Sequence, residues 1–156
     1  MALAPLPFAV PLLAAAALAI AHPFIGRRVV DLFSTAIAVL VMALCALLVA
    51  QSLQAPVIYA FGGWQPRQGV VLGILFVIDP LGAGLATLVA ALVTASFVFS
   101  WRYFQEVRSL FHILLLVFLA AMAGFCLTGD LFNLFVLFEL MGVAGFALTG
   151  YKVEEK

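Results

Sequence analysis

The sequence predicts an all-α integral membrane protein of about five transmembrane helices, its N-terminus outside and its C-terminus cytoplasmic. Three observations predict it. Hydrophobic residues make up 67% of the chain and charged residues 9%, whereas a soluble domain is about half apolar and about a quarter charged. Apolar runs of about 20 residues, the length that crosses roughly 30 Å of hydrocarbon, recur along the chain. Basic residues fall on alternate connections: Arg27 and Arg28, then Arg102 and Arg108, then Lys152 and Lys156. The intervening connections hold Arg67 alone and, in "TGD", no base. This is the pattern that the positive-inside rule requires of five crossings.

The predicted spans are 2–21, 31–51, 80–101, 109–127 and 130–151. The first invites comparison with a cleaved signal peptide, because Ala19-Ile20-Ala21 has small residues at both ends. It lacks a basic n-region, however, and its arginines follow the apolar run, so it reads as a retained helix. The third span starts at Asp79-Pro80, since Asp is a good N-cap and Pro suits the first helical position. From Pro80 to Trp101 it would be about 33 Å long, one crossing. Residues 52–78 form an external connection. β-Branched and aromatic residues on both sides of Gly62-Gly63 predict a hairpin over 56–78 on the membrane surface, with Tyr59 and Trp64 at headgroup level. The chain reads as a single transmembrane domain, residues 1–156, without low-complexity segments or an internal repeat.

Several function classes are disfavoured. Net charge is zero, with seven basic and seven acidic residues, so nucleic acid is not an expected partner. Cys45 and Cys126 lie in separate apolar runs without nearby His, which makes them small core residues rather than a metal site or disulfide framework. There is no nucleotide motif and no nucleophile–base set, so the chain shows no catalytic site, and no cofactor is expected.

The informative residue is Glu139, near the middle of the fifth span. It lies about 13 Å from Asp130 along the helix, close to the bilayer midplane. An unpaired charge at that depth costs at least about 2.5–3.5 kcal/mol, and intramembrane acids are functional by default. Phe132, Phe135, Val143 and Phe146 fall within about 40° of it around the helix, so a partner must come from another helix. A carboxyl whose charge depends on one nearby cation suits proton relay. The alternative is a protonated Glu139 bonded to neighbouring backbone and serving packing alone. Asp79 and Asp130 read as N-caps before relay groups. Asn133 is placed to bond across helices, and His112 reads as an interfacial or capping residue. Arg102, Glu106 and Arg108 make a short loop with a local ion pair. Gly142 and Gly145 would allow close approach of another helix.

"LTGDLFNLFVLFELMGVAGFALTGY" closely resembles the fifth transmembrane helix of antiporter-like proton-translocating subunits. These occur in respiratory complex I, membrane-bound hydrogenases and multisubunit Na+/H+ antiporters, and the D-type chains of the antiporters are the nearest branch. "FGGWQPRQGVVLGILFVIDPLGAGL" resembles the segment leading into their third helix. The resemblance implies that Glu139 is the family's intramembrane glutamate, which pairs with a lysine two helices later. Asp79 matches an acid at the start of the third helix. Family members have about fourteen helices, built around two inverted five-helix repeats, so these residues match the N-terminal part of one. The lysines here are Lys152 and Lys156, in the tail. The expected partners are therefore other integral membrane subunits, one of them supplying the missing helices and an intramembrane lysine. The implied setting is the lipid bilayer of a prokaryotic inner membrane, and the implied ions are protons, alone or with Na+. A second expectation is a structural or assembly subunit with no transport role of its own.

Overall fold

The computed structural model describes residues 3–63, 73–103 and 109–150. Its helices are α1 (Leu6–Ala21), α2 (Arg27–Ser52), α3 (Pro80–Tyr103), α4 (Ser109–Leu127) and α5 (Leu131–Gly150). Between α2 and α3 come strands β1 (Val57–Ala60) and β2 (Leu75–Ile78). The all-α membrane architecture expected from the sequence is thus present. Four helices are long and apolar enough to cross a membrane, and α1, at 16 residues, is shorter.

Two helix starts differ from expectation. Helix α1 begins at Leu6 rather than residue 2, with Pro5 at its N-cap and Pro7 in its first turn. Proline lacks an N–H and is best tolerated in the first turn, so this run sets the start. Helix α2 begins at Arg27, one turn earlier than the apolar run suggests, after an extended Gly26. The two arginines therefore ride on the helix, and Asp31 lies inside it.

Helix α4 is the centre of the bundle and touches the other four helices. Its buried residues, including Leu115, Leu116, Leu119, Ala120, Ala123 and Gly124, occupy several faces. Helices α2 and α3 pack through matched stripes of small residues. Ala38, Val41 and Cys45 on one and Ala83, Ala86 and Ala90 on the other are fully buried. Small side chains let helix backbones approach closely where lipid offers no hydrophobic contrast. The hydroxyls of Thr87 and Thr94 donate to carbonyls one turn back, of Ala83 and Ala90. Each polar group is thereby satisfied within its own helix, as a bilayer requires.

The expected hairpin is present, with strands of four residues each. β1 and β2 pair antiparallel with Val57 opposite Ile78 and Ala60 opposite Leu75. Gly62 leaves β1 at φ 74°, a left-handed conformation that favours glycine. Tyr59 is half-buried, and Trp64 lies outside the described residues. Far from resting only on a membrane surface, β2 is joined to the α4–α5 turn. The Gly129 amide donates to Leu75 O at 2.7 Å, and Phe76 bridges to Thr128.

Glycines make two of these approaches possible. A Cβ on Gly129 would overlap the Val77 side chain, and one on Gly82 would stand 2.5 Å from the Cys126 carbonyl oxygen. The second obstacle is backbone and cannot rotate away. Gly82→Ala is therefore expected to destabilise α3–α4 packing by about 1–3 kcal/mol. Thermal unfolding in detergent checks this, and equal stability of the two proteins would contradict it.

Candidate functional site

Helix α5 is held on one side only. Its buried residues are Asn133, Leu137 and Ala144, which lie about 120–160° around the helix from Glu139. Glu139 is exposed, on the face turned away from the other helices. Phe132, Phe135, Val143 and Phe146 share that face and are 60–81% exposed. The helical wheel drawn from the sequence groups the same residues, an acid amid large apolar side chains, and the structure adds that this face is directed out of the described bundle. No hydrogen bond or ion pair to Glu139 is present among the described residues. Helix rise sets it about 12 Å from the start of α5.

The glycines beside it serve this outward side. A Cβ on Gly142 would meet nothing within 4 Å, and one on Gly145 only Phe118, at 3.8 Å. The close approach expected of Gly142 and Gly145 is therefore not made within the described bundle. Gly124 makes one instead, where Phe8 of α1 and Leu137 of α5 meet α4.

Asp79 and Asp130 are caps. Asp79 Oδ1 accepts from the Gly82 amide, and Asp130 Oδ1 accepts from the Asn133 amide at 2.6 Å. Asp130 does more than the sequence suggests, because its Oδ2 accepts from the Leu75 amide at 3.0 Å and ties β2 to α5. Asp130→Ala is expected to destabilise this end by about 2 kcal/mol, losing a cap and a further bond. Faster hydrogen exchange at the Leu75 amide would report the loss directly, and unchanged exchange would contradict it. Asn133 does not reach across helices. Its Nδ2 donates to Thr128 Oγ1 at 2.8 Å, within the α4–α5 turn. The Thr128 hydroxyl, in the same turn, takes the donor instead.

His112 is the largest correction. Rather than an interfacial cap, it is 1% exposed, inside the bundle on the first turn of α4. Its Nε2 stands 2.8 Å from Oδ1 of Asp31, a residue that sequence reasoning passed over. The contact is an ion pair when the imidazole is protonated. Arg27 Nε lies 3.7 Å from the other carboxylate oxygen, one helical turn away. The available signal was Asp31 itself, placed four residues after Arg27 at the head of a long apolar helix. The expected Arg102–Glu106–Arg108 ion pair falls outside the described side chains. Cys45 and Cys126 are free thiols.

No protein-family model matches the sequence. Over 104 residues, 63% of this chain, it is 36% identical to NADH-quinone oxidoreductase subunit N of Desulforudis audaxviator, spanning 20% of that protein. The fold is similar, with TM-score 0.85 and 27% identity, to a chain of membrane-bound sulfane sulfur reductase, an archaeal respiratory membrane complex. That likeness covers 96% of this chain and 30% of the other. The chain is a multi-pass membrane protein similar to a subunit of NADH-quinone oxidoreductase and to a chain of an archaeal respiratory membrane complex.

Proposed function

We propose that these 156 residues are the N-terminal five-helix portion of an antiporter-like subunit in a prokaryotic inner-membrane complex. In this reading Glu139 carries protons, alone or in exchange for Na+, and works against a cation on helices outside the sequence described. One observation carries the proposal. Glu139 lies on the face of α5 that no other described helix covers, in a helix long and apolar enough to cross a membrane, so a cation can reach it only from outside the described bundle. Lipid is a poor cover for that face, because a carboxylate in hydrocarbon is expensive unless paired. Similarity to subunits of two membrane complexes supports a subunit role.

The chemistry asked of Glu139 is limited. A nearby ammonium favours its carboxylate form, and withdrawal of that ammonium favours the protonated form. Alternation between the two takes up and releases one proton. The test is ion flux through the reconstituted complex carrying Glu139→Gln, which keeps the size of the side chain and removes its proton. Retained flux would sink the proposal.

A further inference from the structure

Asp31 and His112 form a polar core at the arginine-bearing end of the bundle, which the reading of Glu139 leaves unused. Both are inside the packing, with Asp31 only 9% exposed. Each nevertheless lines a cavity. His112 shares one of about 510 Å³ with His22, Arg27 and Ser109, and Asp31 shares one of about 370 Å³ with Arg28, Leu32 and Trp101. A water molecule occupies about 30 Å³ of liquid, so both spaces have room for several. The pair is withdrawn from the surface yet adjoined by solvent-sized space on two sides.

Charge counting makes His112 the variable member. Asp31 faces two bases, and Arg27 is charged at any working pH. The carboxylate therefore keeps one counter-charge whether or not the imidazole is protonated. Imidazole is the side chain whose ordinary titration falls between about pH 5 and 8. Its surroundings accept both forms. The ring stacks on Phe97 at 5.6 Å between centroids, 12° from parallel, and meets the edge of Phe111. A neutral ring gains aromatic contact there, and a protonated ring gains cation–π attraction to Phe97.

A further polar group lies on the same helix. The Ser34 hydroxyl is fully buried on the same face of α2, one turn beyond Asp31, with no hydrogen-bond partner among the described residues. Among the described residues, the other charged or titratable groups lining the two cavities are Arg28 of α2 and His22 of the α1–α2 connection. Among the described side chains, α3 contributes Phe97 and Trp101 near the pair, neither of them ionisable. Arg102 and Tyr103, at the end of α3, and Glu106 and Arg108, in the α3–α4 connection, lie outside the described side chains.

We propose that Asp31 and His112 form a proton-exchange site serving the aqueous side at the arginine-bearing end. Uptake moves one proton from a hydronium ion in the His112 cavity to an imidazole nitrogen, leaving water, and release reverses the step. No other bond forms or breaks. By helix rise the pair lies about 12 Å nearer that end than Glu139. Its place in a proton path rests on the reading of Glu139, whereas its titration does not.

The test is histidine C2 hydrogen–deuterium exchange in the intact membrane complex, resolved by residue with mass spectrometry. The chain has two histidines, and exposed His22 serves as the reference. The expected result is exchange at His112 that follows a titration curve between about pH 5 and 8, with a midpoint that moves in Asp31→Asn. Exchange at His112 that is absent, or flat over that range, would overturn the proposal. If Asp31→Asn does not assemble, the wild-type curve alone decides. Retained flux in Glu139→Gln would refute the relay reading and leave the His112 curve standing.

Discussion

Glu139→Gln is expected to lower proton flux through the assembled complex by at least about tenfold while leaving assembly intact. Positioned acid–base groups contribute roughly 10²–10⁴-fold in catalysis, and bridging water can carry part of a relay. The side chain points away from the other described helices, and its neighbours Phe135 and Val143 are exposed with it. The substitution therefore disturbs no packing inside the bundle, and a fall in flux could not be charged to misfolding. Glu139→Asp, which keeps the proton but shortens the reach, should fall between wild type and Gln. Flux measured in proteoliposomes beside the amount of assembled complex separates the two effects.

The largest stability effect is expected at the other acid. Asp31→Ala should destabilise the bundle by about 3 kcal/mol, the lower end of what removing one partner of a buried ion pair costs. The lower end applies because His112 can shed its charge where a lysine would resist. Arg27, at the end of the bundle, can turn toward water. If both members are replaced by apolar residues, as in Asp31→Leu with His112→Phe, most of the loss should return, since well-packed hydrophobes often match a buried pair. Unfolding in detergent, followed for each single variant and the double, measures the coupling. A single variant within about 0.5 kcal/mol of wild type, as a neutral surface change would be, contradicts the account.

What was legible in the sequence was whatever a short stretch decides by its own chemistry. Asp79 before Pro80 and Asp130 in "TGD" are caps because a carboxylate there reaches amides three residues on. The grouping of Phe132, Phe135, Val143 and Phe146 on the face of Glu139 follows from helical periodicity alone, whereas its outward direction comes from packing. Features that depend on how separated helices meet were not legible. Asp31 belongs to α2 and His112 to α4, and only their packing makes them a pair. The same holds for the glycines. "GVAG" looked like a contact motif, yet the crowded positions are Gly82, Gly124 and Gly129, each set by a neighbour distant in sequence. The early start of α2 was hidden because arginines resemble a loop, although a helix can run past the hydrocarbon while its charges stay wet.

The central claim is that the Glu139 face of α5 is covered by protein bearing a cation, not by lipid. Spin labels on cysteines introduced at Phe135 and Val143, in the complete complex, test it through their accessibility to oxygen, which concentrates in lipid, and to a polar nickel reagent, which stays in water. The account predicts low accessibility to both at these positions, with high oxygen accessibility at a comparison site such as Leu88 of α3, which is 56% exposed. High oxygen accessibility at Phe135 and Val143 would place the Glu139 face against lipid and contradict it.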